Sequence, residues 1–176
     1  MNSRTTVERT SDRELVATRT FAGPACILFE AWTKPELIMR WWAPKSLGIS
    51  FLSCEADVRT GGSYRFVFGH PDFEKPMAFF GRYLEVMPPS RLVWTNEEDE
   101  EGAVTTVTFE EKDGQTRVVV HDLYPSKQAL DGAIASGSTG AWPEQFEELD
   151  VVLTTLGAGL STPTGSAPHP PESPPR

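Results

Sequence analysis

The chain has 176 residues, of which 39% are hydrophobic and 23% are charged, a composition typical of one soluble globular domain. Its 16 Lys and Arg residues against 25 Asp and Glu residues give a net charge of −9, which disfavours nucleic acid and anionic membrane surfaces as partners. Residues 1–13 are polar, and no apolar run approaches the roughly 18 residues of a membrane span, so we expect a cytoplasmic protein without a membrane segment.

The two ends differ in composition from the middle of the chain. Residues 161–176 contain six prolines and no large apolar side chain, so this segment lacks the apolar surface that folding requires. We predict disorder for residues 1–12 and 159–176, and one folded domain over residues 13–158.

A strand and two short helices are predicted first along the chain. Residues 14–21 alternate in polarity and predict a strand. Pro24 opens a short apolar helix that extends to Trp32 and includes Cys26. Thr33 is expected to cap a second helix that ends before Pro44.

Six strands separated by turn residues follow. Asp113-Gly114 between two alternating runs is the strongest hairpin signal. The predicted strands are 49–58, 63–68, 77–86, 91–96, 104–111 and 116–123. Neither cysteine has a metal-ligand spacing, and we expect both Cys26 and Cys54 to be small buried apolar residues.

The last predicted element is an amphipathic helix that begins near Thr139 or Gly140. Its apolar stripe has steps of four, three, four and three residues and consists of Trp142, Phe146, Leu149, Leu153 and Leu156. Such a helix must cover a sheet. We therefore predict an α+β fold: a curved, seven-stranded antiparallel sheet wrapped around a long C-terminal helix, with two short helices after the first strand.

Alternation along the strands predicts which residues face this helix. One reading of the aromatic face is a solid core, and the other is an apolar pocket for a ligand. The candidate ligand-binding residues are Trp41, Tyr64, Phe66, Phe68, Trp94, Phe109, Val118, Val120, Asp122, Trp142 and Phe146. Alternation also places Leu52 and Cys54 on one face, and His121 on the outer face.

Asp122 is the polar exception on this face. It shares the face with Val118 and Val120, so it lies either at the wet end of the strand or in the pocket as a carboxylate. The wet end is favoured because Tyr124-Pro125-Ser126 follows at once. We predict no catalytic set, no metal site and no cofactor, since the chain has no GxSxG, HExxH or P-loop motif and its three histidines are scattered.

Several separated motifs resemble one known family. Residues 21–44 (FAGPACILFEAWTKPELIMRWWAP) resemble the opening signature of the heat-shock-protein-90 ATPase activator homologue family, which belongs to the SRPBCC (START, polyketide cyclase, Bet v-like) superfamily. Residues 57–66, 81–95 and 107–111 resemble it as well, so the likeness covers about residues 14–156. The resemblance implies the helix-grip fold, with a hydrophobic cavity under the C-terminal helix.

Three functions follow as hypotheses. The first is a non-catalytic binding protein for a small hydrophobic or amphipathic, aromatic or acyl ligand. The second is a cyclase, dehydratase or hydrolase in which Asp122 or Glu85 acts as a general acid or base. The third, on family analogy alone, is a stress-response module that interacts with a chaperone. A homodimer is also left open.

Overall fold

The computed structural model describes residues 5–43, 46, 48–72, 74–98, 100, 102–136 and 138–160. Within these residues the strands are β1 Thr6–Arg9, β2 Glu14–Ala22, β3 Ser50–Ala56, β4 Ser63–Gly69, β5 Met77–Met87, β6 Arg91–Thr95, β7 Val104–Lys112 and β8 Gln115–Leu123. The helices are α1 Ala25–Thr33, α2 Pro35–Trp41, α3 Lys127–Ala135, a 3₁₀ turn Ser138–Ala141 and α4 Trp142–Leu160.

These strands form one antiparallel sheet of eight strands in the described part of the chain. Its order is β1-β2-β8-β7-β6-β5-β4-β3. Helix α4 contacts α1, α2 and β2, so the three helices share the apolar side of the sheet. The predicted α+β fold with an antiparallel sheet and a long C-terminal helix is confirmed, with eight strands rather than seven.

The additional strand, β1, lies in the segment that the sequence predicts to be disordered. Val7 pairs with Ala17 of β2, and β1 forms an edge of the sheet. The expectation of disorder is therefore wrong for Thr6–Arg9. Thr6 and Val7 are β-branched residues that favour a strand, and pairing satisfies the backbone groups at the edge of β2.

Helix α1 buries one face. Ala25, Leu28, Phe29 and Trp32 are buried at helical spacing, whereas Cys26 is exposed on the opposite face. The expectation that both cysteines are buried is wrong for Cys26, and Cys54 is only partly buried.

The start of α2 also differs from its prediction. The N-cap is Lys34, and Pro35 occupies the first turn. Thr33 instead donates its hydroxyl to the backbone oxygen of Phe29 at 2.8 Å, inside α1. A residue that ends one helix is thus unavailable to cap the next.

Strand β3 contains an irregularity that changes which side chains face inward. The pairing with β4 shifts between Phe51 and Ser53, so the strict alternation is broken there. Leu52 is 54% exposed, while Phe51 and Cys54 pack against the core. The prediction that Leu52 and Cys54 share one face is therefore wrong.

Helix α3 is absent from the sequence prediction. Ser126 caps it by accepting a hydrogen bond from the backbone N–H of Ala129 at 3.0 Å, and Ala129 and Leu130 are buried. The helix is short and contains Gly132, which weakens its sequence signal.

Helix α4 has the predicted apolar stripe. Phe146, Leu149 and Leu153 are buried, and Trp142 and Leu156 are half-buried. Across the described residues, no helix combines the length and the apolarity that crossing a membrane requires. Disorder is predicted for residues 159–176; residues 159–160 belong to α4 instead, and residues 161–176 lie outside the described residues.

Candidate functional site

A cleft lies between the helices and strands β4, β5 and β6. Seven of its nine lining side chains are aromatic, and none is charged. They are Trp32, Ile38, Trp42, Tyr64, Phe66, Phe79, Tyr83, Trp94 and Asn96. A surface of this composition suits an uncharged ring-bearing molecule.

Local structure explains why these side chains converge. Tyr64 and Phe66 are two residues apart in β4, so both face the helices. Trp94 and Asn96 are related in the same way at the end of β6. Trp32 is the last buried position of α1 and points its ring onto these strands, 6.1 Å from Trp94 between ring centroids.

Tryptophan rings form the centre of the cluster. The ring of Trp32 lies 6.0 Å from that of Trp42 and 6.1 Å from that of Trp142, between centroids. Trp32 is buried, and its Nε1–H has no hydrogen-bond partner among the described residues. Trp41 beside it is satisfied, because its Nε1–H donates to the backbone oxygen of Ala31 at 2.9 Å.

The cleft is narrow in this conformation. The empty space between the lining atoms, including its open mouth, is about 370 Å³, but the room for a water-sized sphere inside it is about 20 Å³. The interior of the cleft therefore has room for about one water molecule. A ring-sized molecule therefore enters only if a lining side chain moves.

The loop that carries Trp42 is attached to α4. Gln145 is buried and donates its Nε2–H to the backbone oxygen of Trp42. Glu144 accepts hydrogen bonds from the backbone N–H and the hydroxyl of Ser46, and these bonds lower the pKa of its carboxyl group. Two adjacent residues at the start of α4 thus hold one wall of the cleft.

Tyr64 and Asn96 form the polar end of the cleft. The Tyr64 hydroxyl donates to the backbone oxygen of Thr95 at 2.6 Å and lies 3.4 Å from Asn96 Oδ1. Burial and the nearby Glu98 carboxylate raise the pKa of Tyr64, and burial raises the pKa of Tyr83. Both phenols are therefore neutral donors at physiological pH.

Asp122 lies behind this polar end and is shielded from solvent. It is only 9% exposed, and its Oδ1 accepts a hydrogen bond from the Thr105 hydroxyl at 2.6 Å. Burial raises the pKa of Asp122 to about 6, partly offset by the bond from Thr105 and the charge of His121. The favoured prediction that Asp122 lies at the solvent-exposed end of its strand is wrong, because pairing with β2 and β7 encloses this end of β8.

The other polar candidates lie at the surface. Glu85 accepts a hydrogen bond from Arg91 at 3.1 Å, and both side chains are more than a third exposed. His121 forms a 2.8 Å contact with Glu14, which lowers the pKa of Glu14, in keeping with the predicted outer position of His121. Glu85 is therefore not a cavity carboxylate.

The predicted site residues fall into three groups. Tyr64, Phe66 and Trp94 line the cleft. Buried in the core around it are Trp41, Phe68, Phe109, Val118, Val120 and Phe146. Trp142 is half-buried in the tryptophan cluster, and Asp122 reaches the cleft only through Thr105 and Asn96. Ligand binding by these residues stays a prediction.

Six residues that line the cleft are not in the predicted site. They are Trp32, Ile38, Trp42, Phe79, Tyr83 and Asn96. The signals were present: Phe79, Gly81 and Tyr83 alternate along β5, and Asn96 follows Trp94 at a step of two. Among the described residues, no group of three or more His, Cys, Asp or Glu side chains is placed to hold a metal ion.

Comparison with known proteins agrees with this architecture. No curated protein matches the sequence. A solved structure from Rhodobacter sphaeroides is 25% identical, with a TM-score of 0.79 over 87% of this chain and 99% of that one. One from Nitrosomonas europaea is 22% identical, with a TM-score of 0.76 over 85% and 99% of the two chains. An AHSA1-like protein from Aeromonas hydrophila is 18% identical, with a TM-score of 0.67 over 86% and 99%.

The family comparison covers most of the chain. The family described as "Activator of Hsp90 ATPase homolog 1-like protein" matches residues 22–154, from the end of β2 into α4. This range includes every residue that lines the cleft. The chain therefore belongs to the Activator of Hsp90 ATPase homolog 1-like family, and it has the helix-grip fold.

Proposed function

We propose that the protein binds a small, uncharged, ring-containing molecule in the cleft between the helices and strands β4–β6. The observation that carries this proposal is the lining itself, in which seven of nine side chains are aromatic. Aromatic rings offer large flat contact surfaces, and stacked or edge-on ring pairs add about 0.5–1.5 kcal/mol beyond the buried area.

The charge distribution favours a neutral ligand. No lining side chain is charged, so an anion would lose its hydration without gaining an ion pair. The carboxylates of Glu97 and Glu98 act on Tyr64 from outside the cleft and further oppose a negative ligand.

Binding requires movement of a wall, because the room inside the closed cleft is about 20 Å³. Trp42 is the best candidate to move. It is half-buried and follows the end of α2, and the bond from Gln145 holds its backbone oxygen rather than its ring. Rotation of its ring would enlarge the cleft without disturbing the sheet, and the turned ring would then stack on the bound molecule.

Thermal unfolding and calorimetric titration with 2-naphthol test the proposal. We expect saturable binding and a higher melting temperature, because a ligand that binds only the folded state stabilises it. Trp42→Ala should weaken binding about tenfold or more through the loss of a stacking ring.

Trp142→Ala is the matched control. Trp142 is also half-buried in the tryptophan cluster, 6.0 Å from Trp42 between ring centroids, but does not line the cleft. The dissociation constant of Trp142→Ala for 2-naphthol should lie within about twofold of that of the unaltered protein. The proposal fails if neither 2-naphthol nor a panel of bicyclic and acyl compounds binds or raises the melting temperature.

General acid–base catalysis is the second candidate, since Asp122 is buried and has a pKa of about 6. However, Asp122 does not line the cleft. The amide of Asn96 and the hydroxyl of Thr105 lie between the Asp122 carboxyl group and the cleft. An amide is a poor proton carrier, so this arrangement favours binding over proton transfer. Interaction with a chaperone rests on the family's description alone, and a pull-down with Hsp90 would test it.

A further inference from the structure

A chain of hydrogen bonds runs from the cleft to Asp122. Asn96 Nδ2 donates to the backbone oxygen of Ala103 at 2.7 Å and to Thr105 Oγ1 at 3.0 Å. Thr105 Oγ1 in turn donates to Asp122 Oδ1 at 2.6 Å. Thr105 and Asp122 are buried, whereas Asn96 is half-buried and lines the cleft.

The donor-to-acceptor direction of these hydrogen bonds fixes the orientation of the Asn96 amide. An ionised Asp122 only accepts, so the single hydrogen of the Thr105 hydroxyl is committed to it. Thr105 Oγ1 must then accept from Asn96. The Ala103 carbonyl also needs a donor, and turning the amide would bring two oxygens together at 2.7 Å. Both contacts therefore require Nδ2 at this position.

Asn96 Oδ1 is consequently turned toward Tyr64, one of the two tyrosines that line the cleft. The Tyr64 hydroxyl has one hydrogen, which it gives to the backbone oxygen of Thr95 at 2.6 Å. Its 3.4 Å contact with Asn96 Oδ1 is long for an O–H···O hydrogen bond. A carbonyl oxygen with unused acceptor capacity thus lies at the end of a largely aromatic cleft.

We propose, on the basis of the proposed function, that the cleft selects ring molecules that carry a hydroxyl or N–H donor, which Asn96 Oδ1 accepts. Thr105 acts as a positioning residue, because it holds the amide in the orientation that presents oxygen to the ligand. A ligand without a donor would bury this oxygen without a partner, and we expect discrimination of about tenfold.

Two probes of similar shape test this selectivity. 2-Naphthol carries a hydroxyl donor, and 2-methylnaphthalene carries a methyl group of similar size. Their dissociation constants are measured for the unaltered protein and for Asn96→Leu. The difference in hydrophobicity between the probes is the same for both proteins, so a change in the ratio reports the contact with Asn96. We expect the preference for 2-naphthol to fall about tenfold in Asn96→Leu.

Thr105→Val is the second variant, since it removes the hydroxyl at nearly constant volume. It should lower the preference for 2-naphthol while leaving the affinity for 2-methylnaphthalene within about twofold. A merely structural effect would lower the affinity for both probes by the same factor. 2-Methoxynaphthalene, which has an acceptor but no donor, provides a test without any substitution, and it should bind about tenfold more weakly than 2-naphthol.

The outcomes separate this inference from the proposed function. If none of the naphthalene probes binds, the proposed function fails and this inference fails with it. If the probes bind but their ratio is unchanged in Asn96→Leu, or if 2-methoxynaphthalene binds as tightly as 2-naphthol, only the selectivity inference is overturned.

Discussion

Asp122 places a carboxyl group in the interior of the sheet, where its charged form is poorly solvated. Burial raises its pKa from 3.8 to about 6. The folded protein therefore holds this proton up to about pH 6, whereas the unfolded chain releases it near pH 4. The contribution of Asp122 to folding is most favourable below about pH 4 and is lost as the pH rises to about 6.

Asp122→Asn should raise the free energy of unfolding at pH 8 by about 2 kcal/mol, because Asn can still accept from Thr105 without carrying a buried charge. At pH 4 the gain should vanish, since Asp122 is then neutral in the folded protein. Urea unfolding of both proteins at the two pH values measures this difference.

Asp12→Asn is the control for this prediction, because it makes the same substitution at an exposed position where no charge is buried. A gain for Asp122→Asn that is equal at pH 4 and pH 8 would contradict the assignment of a raised pKa.

At the scale of elements, the pairing of β5 with β6 depends on Gly81. A side chain there would overlap the backbone oxygen of Thr95, whose hydroxyl also accepts from the backbone N–H of Arg82 at 2.9 Å. Gly81 lies between Phe79 and Tyr83, which both line the cleft. The close approach of the two strands therefore also sets the floor of the cleft.

Gly81→Ala should lower the free energy of unfolding by about 1–3 kcal/mol, because the added methyl group would overlap backbone atoms of Thr95 and the two strands would have to separate. Gly132→Ala in α3 is the matched comparison, since its methyl group would meet nothing within 4 Å. It should raise stability by up to about 1 kcal/mol through helix propensity. Chemical denaturation of both variants tests this, and an equal effect of the two substitutions would refute it.

The elements that could be predicted from sequence are those with strong periodicity. The stripe of α4 and the alternation of β4 and β8 depend on local spacing, and the structure has them as predicted. Strand β1 could not be predicted, because a four-residue edge strand depends on its pairing with β2. The irregularity at Phe51–Ser53 also depends on a neighbouring strand and leaves no periodic signal.

At the scale of the whole molecule, alternation predicts which side chains face the helices. It does not predict at which end of the sheet the cleft lies. The predicted site residues extend across the sheet from β4 to β8, and only those at the β4–β6 end reach the cleft. Phe109 and Val118 meet the helices where no space remains. Trp32 and Trp42 define the cleft because of how α1 and α2 pack, which no single element encodes.

The indole N–H signals of the five tryptophans test the central claim most directly, through nuclear magnetic resonance during titration with 2-naphthol. Trp41 is an internal reference, since it is fully buried and its Nε1–H is bonded to Ala31. We predict saturable shifts for Trp32, Trp42 and Trp94, which line the cleft, and a much smaller shift for Trp41. Unchanged signals at saturating ligand, or equal shifts for all five indoles, would contradict a binding site in this cleft.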